Sequence, residues 1–146
     1  MNTQLLVLVL DELIPPSVDG RMPGAGALGA GAIVQHVAAA TPGLEPLLTQ
    51  GFAALEDLAR RRDAKGFAAL ARGTRIEVLG ELEQSVPLFL PTLLTLACVG
   101  YYSSEQVLTA LNGNARPPHP EGYDVEPDDL SLLEAVRARG KLYRDC

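Results

Sequence analysis

Ser85-Val-Pro-Leu-Phe-Leu-Pro-Thr-Leu-Leu-Thr-Leu-Ala-Cys-Val-Gly-Tyr-Tyr-Ser-Ser104 carries no charge, and none interrupts the chain between Glu83 and Glu105. A helix that is apolar on every side is buried, either in lipid or among other helices. A membrane span needs roughly 18 or more apolar residues. Pro87 and Pro91 break the first turns of this run, and Thr92, Thr95 and Gly100 dilute the rest. The stretch therefore reads as the core helix of a small helical bundle.

The bulk numbers agree. A chain of 146 residues with 47% hydrophobic and 21% charged content fits one globular domain with a real core. The net charge of −6 and the sequence pI near 4.8 disfavour a nucleic-acid surface. Aromatics make up 5% with no tryptophan, so stacking platforms are thin. Cys98 and Cys146 form neither a C-x-x-C pair nor a zinc spacing with a histidine.

Upstream of the core helix, Leu5-Leu-Val-Leu-Val-Leu10 resembles a signal-peptide core, but it lacks a basic flank and Asp11-Glu12 follows at once. No twin-arginine pair precedes it, so the expected location is cytoplasmic, with the periplasm as alternative if a signal-bearing partner exports it. Residues 3–14 read as a helix stopped by Pro15-Pro16, and 15–28 as a Pro/Gly-rich loop. A second helix is expected over 29–40, with Ile33 and Val37 on its inner face. In the third, Leu44, Leu47, Leu48, Phe52, Leu55 and Leu58 share one face, supported by Glu56–Arg60 and Asp57–Arg61 pairs. A fourth is expected over 73–85, with Ile76, Leu79 and Leu82 inward and Arg75, Glu77, Glu81 and Glu83 outward. After the core helix, Ser103-Ser-Glu-Gln106 has a capping-box pattern opening a short helix to Leu111.

Residues 114–127 read as a proline-rich extended loop, and 130–138 as a last short helix before the tail. The pentapeptide Gly-Phe-Ala-Ala-Leu occurs at 51–55 and again at 66–70. That spacing is too short for a repeat unit, and the flanks differ. The expected architecture is all-α, a bundle of about five to seven helices in a single domain 1–146: a helical body over 1–113, then a loop, a short helix and a tail over 114–146.

Few residues point to chemistry. Gly24-Ala-Gly-Ala-Leu-Gly29 fits the dinucleotide fingerprint by letter, with Glu45 near the place of a ribose-binding acid. That fingerprint needs a strand before it and a helix opening at the pyrophosphate, whereas Pro23 and a loop precede these glycines. His36 and His119 read as solvated. No Ser/His/Asp or Cys/His set stands at local spacing. Tyr101-Tyr102, two amphipathic rings at a helix end, suit either an interface or core packing.

Leu10-Asp-Glu-Leu-Ile-Pro-Pro16, Met22-Pro-Gly-Ala25, Ala53-Ala-Leu-Glu-Asp-Leu-Ala59, Phe67-Ala-Ala-Leu70 and the run ending Gly100-Tyr-Tyr102 come in an order that resembles the gluconate 2-dehydrogenase subunit 3 family. The resemblance covers the chain to about residue 113. It implies an all-helical, non-catalytic accessory subunit that binds a large FAD-dependent dehydrogenase subunit of the GMC type, with a cytochrome c as electron acceptor in some complexes. FAD and the catalytic groups are then expected on the partner, with no cofactor or metal on this chain.

Two features depart from the family pattern: the missing twin-arginine signal, and Arg116-Pro-Pro-His-Pro-Glu-Gly-Tyr-Asp-Val125 where relatives carry an aromatic-glycine segment. The expected interface is the proline loop (Pro15, Pro16, Met22, Pro23 and Gly24) together with Tyr101 and Tyr102. A stand-alone helical adaptor without an enzyme partner is the alternative, and a small nucleotide-binding enzyme is a third class.

Overall fold

A computed structural model describes residues 2–113, 115, 122 and 126–140. It is all-α, with seven helices and no strand among the described residues. They are α1 (Thr3–Leu13), α2 (Gly31–Ala40), α3 (Leu44–Arg60), α4 (Arg72–Ser85), α5 (Phe89–Tyr102), α6 (Glu105–Asn112) and α7 (Glu134–Arg137), with 3-10 turns at Phe67–Ala69 and Leu130–Leu133. Contacts group the chain into two units, 1–116 and 117–146.

In the first unit α1 is a core helix with Leu6, Val9 and Leu10 wholly buried. Asn2 caps it, its Oδ1 accepting from the Gln4 and Leu5 amides at 3.0 and 3.4 Å. Against α1 pack α2 and α5, and α3 closes the bundle with Leu48, Phe52 and Leu55 inward. Phe52 and Phe89 meet edge to face with centroids 5.1 Å apart. Gly51 makes that possible: a Cβ there would fall inside the Phe89 ring. Helices α2 and α5 approach equally closely at Gly100, whose Cβ would stand 3.1 Å from the Ile33 Cβ.

Several expectations need correction. The buried face of α2 is Gly31, Val34 and Ala38, while Ile33 remains 37% exposed. In α4 the inner residues are Val78, Leu79 and Leu82; Ile76 is half exposed. Arg75, expected outward, has a side chain only 17% exposed, turned to Glu12. On α3, Arg60 takes both acids, at 3.4 Å from Glu56 and 3.9 Å from Asp57. The cap of α6 is Ser104, whose Oγ accepts from the Val107 amide at 3.2 Å. Ser103 instead donates its hydroxyl to the Val99 carbonyl. Gly113, at φ +74°, ends that helix.

The largest correction concerns α5. It is buried on one side only, through Phe89, Leu93, Ala97, Gly100 and Tyr101. No single helix is long and apolar enough to cross a membrane; only α4 and α5 together have the composition, and they are bent by 116°.

In the second unit, Asp129 Oδ1 accepts from the Ser131 amide at 3.0 Å and starts the turn that leads into α7. Leu130, Leu132, Leu133 and Val136 are all exposed. Most of the expected loop at 114–127, including His119, and the tail with Cys146 lie outside the described residues.

Candidate partner-docking site

The acids Asp11 and Glu12 occupy the last turn of α1, where the helix dipole disfavours negative charge. Each has dedicated partners. Asp11 Oδ1 accepts from the backbone amides of Gly26 at 2.8 Å and Ala27 at 3.1 Å. Glu12, with a side chain 5% exposed, lies between two arginines of α4. Arg72 Nε donates to its Oε2 at 3.1 Å. Arg75 Nε stands 3.2 Å from its Oε1, close enough for ion pairing but off the hydrogen-bond direction.

The Asp11 contact explains the glycine run. A Cβ on Gly24 would meet the Asp11 carboxylate, and one on Gly26 would meet the Val7 carbonyl. These glycines let the loop lie directly on α1, and their neighbouring amides are turned to a carboxylate of the same chain. Glu45 lies elsewhere, lining a cleft of about 290 Å³ with Thr3, Gln35 and Thr49 to which none of residues 24–29 contributes. The arrangement is a helix-to-loop anchor and lacks the strand-loop-helix geometry of a dinucleotide site.

The loop itself is knitted by short-range bonds. Ala25 N donates to Ile14 O at 3.0 Å, Ser17 N to Met22 O at 2.9 Å, and Met22 N to Ser17 Oγ at 2.9 Å. At its tip Asp19 accepts from the Ser17 hydroxyl and pairs with Arg21, which together hold its carboxyl below the ordinary value. Pro15 and Pro16 are exposed, Met22 and Pro23 half-buried, and Gly24 buried.

Tyr101 joins this loop to α5. It is 2% exposed, and its hydroxyl donates to the Pro23 carbonyl at 2.8 Å. Burial, and then the neighbouring Tyr102, push its phenol above the ordinary value. Tyr101 therefore belongs to the core, as Gly24 does, and neither offers a surface. Tyr102 does: it is 52% exposed and packs edge to face on Tyr101 at 5.1 Å. Of the residues singled out in the sequence, the structure leaves Pro15, Pro16, Met22, Pro23 and Tyr102 at least partly accessible.

Sequence reasoning missed the outer face of α5. Pro91, Leu94, Thr95, Val99 and Tyr102 are exposed along it, with Cys98 partly so. Their spacing of three and four puts them on one stripe, but apolar residues on the opposite face of the same helix hid that stripe. Asp11 and Glu12 were missed as well. Two adjacent acids ending an apolar run were the available signal, because helix C-termini do not favour acids. Among the described residues no group of three or more His, Cys, Asp or Glu side chains is placed to hold a metal.

A compact all-helical unit with a tightly anchored loop and an uncovered apolar helix face has the form of an interaction subunit. A family model described as gluconate 2-dehydrogenase subunit 3 matches residues 2–118, and the chain belongs to that family. The family is a subunit of a dehydrogenase complex, which implies a partner chain. No curated protein and no solved structure matches it.

Proposed function

We propose that this chain is a non-catalytic accessory subunit that binds, and stabilises or matures, the FAD-dependent catalytic subunit of a sugar or polyol dehydrogenase complex. The observation that carries the proposal is the family match over residues 2–118, whose description names a subunit. The Asp11 anchor supports it, because the one segment with a nucleotide-like sequence has its amides engaged by the chain's own carboxylate. FAD, the catalytic groups and any route to a cytochrome c belong to partner chains in this proposal.

The test is co-expression of the tagged chain with a GMC-type large subunit encoded beside it, read by flavin absorbance of the eluate and by soluble yield of the large subunit. A yellow complex, with the large subunit losing solubility or activity when made alone, is the expected result. A large subunit that is fully soluble and active alone refutes the stabilising role. A colourless, solitary eluate leaves the adaptor reading in its place.

A further inference from the structure

The outer stripe of α5, resting on the subunit proposal above, is the surface by which we infer that this chain docks its larger dehydrogenase partner, through an apolar patch on that partner rimmed by lysine or arginine. The stripe is Pro91, Leu94, Thr95, Cys98, Val99 and Tyr102, within a run free of charge from residue 84 to 104. Val99 and Tyr102 are 53% and 52% exposed, and Leu94 is 39% exposed. Ile33 of α2, beside Gly100, widens the patch.

Charge and size select the occupant. The run is bounded along the chain by Glu83 and Glu105, both exposed and neither ion-paired among the described residues. Pairing with a second copy sets acid against acid: Glu83 against Glu105 if the helices run antiparallel, and each against itself if they run parallel. An anionic lipid surface meets the same obstacle, since helices that lie on membranes flank their apolar face with Lys and Arg. A stable interface engages about 20–30 residues a side. A stripe of this length falls short when it pairs only with its own copy. A larger chain that also covers the flanking surface meets the requirement, and basic groups on its rim satisfy the two glutamates.

Cys98 is a built-in reporter, partly exposed and free. In a Cys146→Ser background its maleimide labelling rate is measured in the free chain and in the co-purified complex with the flavin-containing subunit. Burial of the stripe is expected to slow labelling at least tenfold. Val99→Glu, at an exposed position, is expected to keep the melting curve of the parent and lose co-elution of the large subunit. Ile76→Glu, at an exposed position on α4, is expected to keep both.

A complex that forms while Cys98 labels at the free rate overturns this inference alone and leaves the subunit role intact. A free chain that sediments as a dimer with Cys98 already protected overturns it in favour of self-association. Absence of any complex with the parent chain refutes the subunit role, and the docking surface with it.

Discussion

Replacing Asp11 by alanine removes the acceptor that ties the Gly24–Ala27 loop to the end of α1. Two backbone amides, at 2.8 and 3.1 Å, then lose a charged partner. Hydrogen bonds to charged groups contribute about 1.5–3 kcal/mol each, and a half-buried carboxylate belongs at the low end, so the pair is worth about 3 kcal/mol. Relief of the unfavourable dipole interaction returns only about 0.5 kcal/mol. In a domain of this size each kcal/mol moves the midpoint by about 3–4 °C, so Asp11→Ala is expected to melt about 8–10 °C lower.

Asp11→Asn keeps an acceptor oxygen without its charge and is expected to lose only about a third of that, roughly 3 °C. Thermal denaturation followed by circular dichroism reads both. The same assay with NAD or FAD added separates an anchor from a ligand loop, since a ligand at a hundred times its Kd stabilises by about 2.7 kcal/mol. No shift with either cofactor is expected. A midpoint for Asp11→Ala within about 2 °C of the parent, or a cofactor-dependent rise, would refute the assignment of these glycines to loop anchoring.

Glu12→Ala leaves Arg75 buried without its counter-charge, and a cost of about 3 kcal/mol, at the low end for a broken buried pair, is expected in urea titrations because Arg72 can return to water. Gly51→Ala forces the Phe89 ring aside and is expected to destabilise by about 1–3 kcal/mol, with partial recovery in a Gly51→Ala/Phe89→Leu double variant; additive losses would show that the two sites do not meet. The raised phenol of Tyr101 binds its proton more tightly folded than unfolded. Its contribution is therefore present in full below the unfolded value of about 10 and is lost as pH rises through the folded value. The alkaline fall in stability is expected to be shallower in Tyr101→Phe, and parallel curves would contradict the buried hydrogen bond to Pro23.

The helices themselves were legible in the sequence. The 3/4 spacing of α3, the Pro15-Pro16 stop after α1 and the charge-free run of α5 are local properties, and local propensity together with an apolar face is enough to place them. Which side of each helix is inward was less legible. In α2 the inner positions are Gly31, Val34 and Ala38 rather than those of the larger Ile33 and Val37, because α2 and α5 approach at Gly100 and small residues admit a close crossing. In α4 Ile76 looks inward by type, yet Val78 takes the buried place. α5 offers apolar groups all round, so nothing in its periodicity distinguishes the covered face from the open stripe.

The pentapeptide Gly-Phe-Ala-Ala-Leu marks the division most clearly. At 51–55 it lies inside α3, continued on both sides by helix-forming sequence. At 66–70 the same five residues form a 3-10 turn, opened by Gly66 at φ +83°, ψ −167°, a conformation open essentially to glycine alone. There the Phe67 amide reaches Glu56 Oε1 at 3.4 Å, and its ring is fully buried. Identical local preferences thus end in two conformations. The energy of burying one ring and meeting one distant carboxylate exceeds the small difference in propensity between helix and turn, and only the assembled bundle supplies those partners.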